Sequence, residues 1–195
     1  MKVSVIGTGY VGLVTGATLA DLGNQVVCLD ILEEKITMLN SGKSPIYEPG
    51  LDELLKKGLK NKNLSGSTEI EQNVRNSDIT FICVGTPSDK NGNIDLGYIK
   101  SASSAIGRSL RDKNEKHTVI VKSTVVPLTT EEVVMPNILK KSGWERENLG
   151  IGMNPEFLRE GSAINDAQNP DRIVIGFADE IARRTLNELY EPYKC

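Results

Sequence analysis

The chain has 195 residues, with 23 Lys and Arg against 26 Asp and Glu, a formal net charge of −3, and 38% hydrophobic and 25% charged residues. That apolar content supports a packed core and excludes an intrinsically disordered chain. No Lys/Arg block is present, which argues against nucleic acid as a partner, and no apolar run reaches the roughly 18 residues of a membrane span.

Short apolar runs alternate with longer amphipathic segments. Lys2–Ile6 reads as a buried strand and Val11–Leu22 as a helix with Leu13, Ala17, Leu19 and Ala20 along one stripe. Gly23-Asn24 stops that helix. Gln25–Leu29 is a second strand and Ile31–Asn40 a second helix. Ser41–Gly50, with Gly42, Pro45, Pro49 and Gly50, is a loop. Leu51–Leu59 is a short helix, Leu64–Ser67 a strand and Thr68–Arg75 a further short helix. Ile79–Val84 is an almost continuous apolar strand, and Gly85–Asn93 a polar loop. Leu96–Leu110 is a helix, Thr118–Val121 a strand, and Leu128–Lys141 a helix bent near Pro136. Leu149–Gly152 and Arg172–Gly176 are late strands. Ala178–Tyr190 is a final helix, expected to expose an apolar strip. Runs of this kind predict an α/β domain: a doubly wound, mostly parallel sheet with helices on both faces. Such a sheet places ligands at the carboxyl ends of its strands.

Met1–Gly7 is too short and too rich in glycine for a signal peptide. Cys28, Cys83 and Cys195 lack disulfide or metal-ligand spacing, so a reducing cytoplasm and no metal are expected. Cys28 and Cys83 read as small core hydrophobes. One histidine, His117, cannot alone support a His-based metal site or a Ser-His-Asp triad. It is expected at a strand entrance, on the surface.

Gly7-Thr8-Gly9-Tyr10-Val11-Gly12 follows the first strand and opens the first helix. In this context Gly7 allows the tight turn, Gly9 admits a pyrophosphate, and Gly12 lets helix and strand pack closely. Asp30 ends the second strand, 18 residues beyond Gly12, where a carboxylate binds the ribose hydroxyls of adenosine. The same acid repels a 2′-phosphate, so NAD is the expected cofactor rather than NADP. Lys35 either reaches the adenosine side or is a solvated surface lysine. Val84-Gly85-Thr86-Pro87 ends the central apolar strand, where a small residue and a hydroxyl suit a close backbone approach to a cofactor; an ordinary turn has the same composition. In Lys122-Ser123-Thr124, Thr124 either brings a hydroxyl to the nicotinamide side or caps a helix.

Asn154-Pro155-Glu156-Phe157-Leu158-Arg159-Glu160-Gly161 is the most unusual segment. Were it helical, Glu156 and Glu160 would share a face and could handle protons and water; a solvated acidic turn gives the same charge pattern. Arg172 is positioned to pair with one of these acids or to cap the late strand.

Taken together and in this order, Gly7–Gly12, Asp30, Val84–Pro87, Lys122–Thr124 and Asn154–Gly161 resemble the UDP-glucose/GDP-mannose dehydrogenase family. The runs Gly161–Asp166 and Asn169–Gly176 look most like its UDP-glucose-oxidising branch. The resemblance spans essentially the whole chain and implies a single Rossmann-type NAD-binding domain over residues 1–195. It implies that family members oxidise a nucleotide sugar twice, alcohol to acid, with two NAD and a cysteine that captures the aldehyde. It places Gly7, Gly9, Tyr10, Val11, Gly12, Asp30, Lys35, Thr86, Thr124 and Glu160 against the cofactor. Glu156, Phe157, Leu158, Arg159 and Glu160 would line the sugar nucleotide. Glu156 would handle protons in thioester hydrolysis, Glu160 would sit between cofactor and substrate, and Thr124 would position water. The implied substrate is UDP-glucose, with GDP-mannose, UDP-N-acetylmannosamine or a non-catalytic nucleotide-binding module as alternatives. The family's central dimerising helix, its glycine-rich cysteine loop and its UDP-binding domain have no counterpart here. Cys195 is therefore not assigned the nucleophile role. The chain alone is expected to be inactive and monomeric or weakly dimeric, although the full-length family enzyme is a homodimer.

Overall fold

The structure, a computed structural model, describes residues 1–193; Cys195 lies outside the described residues. Seven strands form one sheet: β1 (Lys2–Ile6), β2 (Gln25–Leu29), β3 (Leu64–Ser67), β4 (Ile79–Ile82), β5 (His117–Val121), β6 (Leu149–Met153) and β7 (Gly176–Phe177). Their order is β3-β2-β1-β4-β5-β6-β7. All pairings are parallel except that of β6 with β7. Every residue of β4 and β5 is buried, because both faces of a parallel sheet are covered. This is why neither sequence alternates apolar with exposed polar residues, and why their polar members, Thr80, His117 and Thr118, are buried as well.

The helices are α1 (Tyr10–Asp21), α2 (Glu33–Asn40), α3 (Leu51–Lys60), α4 (Ile70–Arg75), α5 (Gly97–Leu110), α6 (Met135–Ser142), α7 (Ala163–Gln168) and α8 (Glu180–Tyr190). Successive strand residues point to opposite faces. Val5, Phe81 and Ile120 pack under α1, α3, α7 and α8, while Ile6, Ile82, Val119 and Val121 pack under α4, α5 and α6. The chain changes winding direction at β1, which lies between β2 and β4. The carboxyl ends of β1 and β4 therefore frame the crevice in which such sheets take ligands.

The element order agrees with the sequence reading, and the differences have local causes. The late strand is only Gly176–Phe177 and runs antiparallel. Beyond it, the Asp179 carboxylate accepts from the Ile151 amide of β6 at 2.8 Å and also caps α8 through Ala182 N–H, 2.8 Å. A side chain thus replaces the ladder that a longer strand would supply. The expected helix over 128–141 begins instead with a π-helical turn, Thr130–Val134, that leads into α6. Pro136 lies in the first turn of α6 and has no N–H to donate backwards, so the turn before it is wound more loosely.

The final helix does not expose an apolar strip. Ala182, Leu186 and Leu189 are buried, and no α8 residue is among the exposed large hydrophobics. His117 opens β5 as expected but is 1% exposed rather than on the surface. The preceding chain folds back so that Lys113 covers the ring, and the Ser77 carbonyl lies 3.0 Å from Nδ1 at the amino end of the sheet. Among the described residues, no helix is long and apolar enough to cross a membrane.

Candidate functional site

The glycine turn meets the demands of a dinucleotide cradle. Gly7 has φ +100°, and a Cβ there would lie 2.6 Å from the Cys83 carbonyl oxygen. A Cβ on Gly12 would lie 1.8 Å from the Gly7 oxygen. A Cβ on Gly9 would meet nothing within 4 Å. The turn is thus closed on its inner side and open over Gly9. Gly9 is also the N-cap of α1, has no side chain to cap it, and the first turn holds no acidic residue. The amides at this helix start and the positive end of the helix dipole remain available to an anion.

Asp30 lies at the end of β2 beside the turn. Its Oδ2 accepts from the Thr8 amide at 2.8 Å and the Thr8 hydroxyl at 2.6 Å; Oδ1 accepts from the Leu32 amide at 3.1 Å. Lys35 Nζ is 3.7 Å away, so Lys35 is an ion-pair partner of Asp30 rather than a solvated lysine. Burial favours the neutral acid. The Thr8 and Leu32 hydrogen bonds and Lys35 outweigh it and hold the carboxyl below its usual range. Asp30 is therefore ionised at neutral pH and braces the turn, with capacity left on Oδ1 for a ribose hydroxyl.

The ends of β4 and β5 are joined. Ser123 Oγ donates to the Val84 carbonyl at 2.6 Å, and Thr86 Oγ1 donates to the Thr124 carbonyl at 2.9 Å. Thr124 does not cap the following helix, which starts at Thr130 with Thr129 as N-cap. Its side chain lies on an exposed residue at the carboxyl edge. Lys122 donates to Asn154 Oδ1 at 2.8 Å, as does the Tyr190 hydroxyl at 2.6 Å, while Asn154 Nδ2 donates to the Val174 carbonyl at 2.8 Å. Burial lowers the Lys122 pKa, and the nearby Glu156 carboxylate acts in the opposite sense.

The acidic segment is not helical. Residues 154–159 carry no regular structure, so Glu156 and Glu160 do not share a helix face. Asn154-Pro155 ends the strand, and Glu156 Oε2 accepts from the Leu158 amide at 2.7 Å, turning the backbone locally. Arg159 forms a fork with Asp166 at 3.1 and 2.6 Å, and this pair holds Asp166 down at a pKa of about 2. Arg172 pairs with neither glutamate. Its guanidinium lies 5.1 Å over the Phe157 ring. A cleft of about 240 Å³ gathers Glu156, Phe157, Leu158 and Arg159 with Lys122, Asn154 and Tyr190. Glu160 and the expected cofactor residues do not line it.

Sequence reasoning missed Glu48 and Tyr190. Glu48 sits in the loop before α3, yet is 6% exposed. It accepts from Tyr10 OH at 2.5 Å and from the Gly161 and Ala163 amides, each at 2.8 Å. The available signal was Glu48-Pro49-Gly50, a tight entry to α3 in which Gly50 has φ +82°.

Residues 1–194 match the model of the UDP-glucose/GDP-mannose dehydrogenase family, NAD binding domain. The chain belongs to that family. It is 47% identical over 191 residues to GDP-mannose 6-dehydrogenase of Pseudomonas aeruginosa, covering 97% of this chain and 44% of that protein. It is 45% identical over 192 residues to UDP-glucose 6-dehydrogenase TuaD of Bacillus subtilis, covering 98% and 41%. A solved ternary complex of GDP-mannose dehydrogenase from the same Pseudomonas species superposes with TM-score 0.97 at 46% identity, over all of this chain and 45% of that one. A UDP-glucose dehydrogenase from Pyrobaculum islandicum gives TM-score 0.93 at 44% identity, over 97% and 43%. The chain thus spans less than half the length of these relatives. As a UDP-glucose/GDP-mannose dehydrogenase NAD-binding domain, it has NAD as its cofactor.

Proposed function

We propose that this domain serves a nucleotide-sugar 6-dehydrogenase, with residues 1–195 forming its cofactor half. The observation that carries the reading is the open space over Gly9 at a bare helix start, with an ionised Asp30 beside it. The backbone around Gly7, Gly9, Tyr10, Val11 and Gly12 receives the pyrophosphate, and Asp30 with Lys35 fixes the adenosine ribose. Thr86 and Thr124 stand on the nicotinamide side, at the ends of β4 and β5. Bound NAD supplies the hydride acceptor. Thr124 holds a water near the reacting carbon, Glu156 moves a proton in the hydrolytic step, and Glu160 lies where cofactor and sugar meet. Lys122 fixes Asn154 through its 2.8 Å hydrogen bond, and so the start of the loop. Phe157, Leu158 and Arg159 complete the sugar side.

The substrate we propose is UDP-glucose. GDP-mannose is the second reading, favoured by the 47% identity to a GDP-mannose enzyme against 45% to a UDP-glucose enzyme. Ligand-observed NMR with the NAD-loaded chain detects millimolar binding and compares the two directly; a stronger effect from GDP-mannose reverses the order.

Cofactor choice tests the cradle. NAD is expected to bind at least about tenfold more tightly than NADP, about 1.4 kcal/mol, because ionised Asp30 faces the position of the 2′-phosphate. Calorimetry on the wild type and Asp30→Ala measures it. Equal affinity of the wild type for both cofactors overturns the assignment of Asp30.

The covalent step calls for a thiolate, and neither described cysteine provides one. Cys28 and Cys83 are free and buried, and burial pushes both thiols up to about 12. Both are expected to resist iodoacetamide in the native protein and to react fully in urea, as read by mass spectrometry. Rapid native labelling of Cys83 would make it a nucleophile candidate.

A further inference from the structure

Glu48 connects the cofactor turn to the loop on the sugar side. Tyr10, next to Gly9 at the start of α1, donates its hydroxyl to Glu48 Oε2 at 2.5 Å. The same oxygen accepts from the Gly161 amide at 2.8 Å, and Oε1 accepts from the Ala163 amide at 2.8 Å. The Tyr10 oxygen is also 3.3 Å from the Arg159 carbonyl. These partners are 38, 113 and 115 residues away in sequence from Glu48, so the carboxylate ties three distant segments together.

A buried carboxylate is costly unless donors satisfy it. Here a hydroxyl and backbone amides do so, and they hold the acid ionised, below its usual range. Apolar side chains could cover the same crevice without a charge. What the charge adds is direction. It fixes where Gly161, at φ +85°, turns the backbone after Glu160. It also fixes where the Tyr10 hydroxyl lies.

We propose that Glu48 is a positioning residue that couples NAD occupancy to the 159–163 loop: a dinucleotide on the glycine turn fixes Tyr10, Tyr10 orients Glu48, and Glu48 holds the backbone that carries Glu160. This rests on the NAD reading of the glycine turn. Coupling of this kind is reciprocal, so an ordered loop also favours the dinucleotide. Tyr10 is the separable link. Without its hydroxyl, Glu48 keeps the two loop amides but loses contact with the cofactor turn.

The experiment uses the whole chain and limited trypsin digestion. Arg159 is an exposed cleavage point inside the loop, with 76% side-chain exposure. Cleavage after the exposed Lys62, in the turn that follows α3, serves as the internal control. Saturating NAD is expected to slow wild-type cleavage after Arg159 at least fivefold relative to Lys62. Tyr10→Phe, held at a saturating NAD concentration set by calorimetry on that variant, is expected to show less than twofold protection. Glu48→Gln is expected to be cleaved faster with and without NAD, with an unchanged far-UV circular dichroism spectrum. Full protection in Tyr10→Phe would mean that NAD shields the loop directly, and overturns the coupling. NAD binding to the wild type without protection overturns it too. No NAD binding to the wild type instead removes the cofactor reading on which it rests.

Discussion

Replacing Gly12 with Ala is expected to cost the domain much of its stability, whereas replacing Gly9 with Ala is expected to leave the fold intact and weaken cofactor binding. The two glycines belong to one motif but answer to different constraints. A Cβ on Gly12 would stand 1.8 Å from the Gly7 oxygen and 3.2 Å from the Cys83 Cβ. Neither obstacle is the end of a flexible side chain. The Gly7 backbone is itself pinned, because its amide donates to the Leu29 carbonyl at 2.7 Å and it sits at φ +100° against Cys83. Overpacking costs about 1–3 kcal/mol where side chains can yield; here backbone must move, and about 3 kcal/mol or more is expected. Gly9 has φ −79°, open to any residue, and its Cβ would meet no protein atom within 4 Å. Stability should therefore change by less than about 0.5 kcal/mol. The added methyl instead occupies the space over the helix start, and NAD affinity should fall at least about tenfold. Urea unfolding and calorimetry on both variants separate the effects. A Gly12→Ala domain as stable as wild type, or a Gly9→Ala domain that binds NAD normally, would contradict this account of the turn.

The strand-and-helix order and the cradle were legible because their causes are local. A buried parallel strand is predominantly apolar, and a tight turn under a phosphate must be glycine, so Lys2–Ile6 and Gly7–Gly12 announce themselves. Asp30 was legible from its spacing, but its bonds to Thr8 were not, since they depend on how closely β1 and β2 lie side by side. The backbone of the acidic segment was not legible, because its charge spacing fits a helix and a turn alike and cannot register what Pro155 and the Glu156–Leu158 contact do to the chain. Glu48 was invisible for the opposite reason. Within its loop it looks solvated, and its partners at Gly161 and Ala163 come from the other end of the chain. The apolar stripe of α8 was read correctly as a stripe, yet its covering by β5 and β6 is tertiary and has no local signature. His117 fell to the same limit, since a strand entrance is exposed unless something folds over it.

That buried histidine should dominate the mild-acid behaviour of the domain. His117 Nδ1 lies 3.0 Å from the Ser77 carbonyl and so carries the proton, which it donates there. Nε2 then accepts from the Thr80 hydroxyl at 2.8 Å, and Thr80 Oγ1 is 2.7 Å from Ser4 Oγ. Lys113 also donates to the Ser77 carbonyl, which brings its ammonium to 3.2 Å from Nδ1. A second proton on the ring would turn Nε2 into a donor facing Thr80 and place a cation beside Lys113 in a dry site. Burial, reinforced by Lys113, accordingly lowers the pKa to about 3. The unfolded chain takes up that proton near pH 6.5 and the folded chain does not, so the folded state binds fewer protons across the interval. The stabilisation is complete above the unfolded pKa and is lost as pH falls from about 6.5 towards 3. Between pH 7.5 and 5 the loss should be about 2 kcal/mol, at about 1.4 kcal/mol per unit below 6.5. Asp166 and Glu180, each held near a pKa of about 2 by arginine partners, contribute only at lower pH. Because the chain has one histidine, His117→Gln should flatten the profile between pH 7.5 and 5 while lowering stability at neutral pH. Urea unfolding at pH 7.5, 6 and 5 on both proteins reads the difference. An equally steep decline in His117→Gln would place the proton uptake elsewhere and remove His117 from the account.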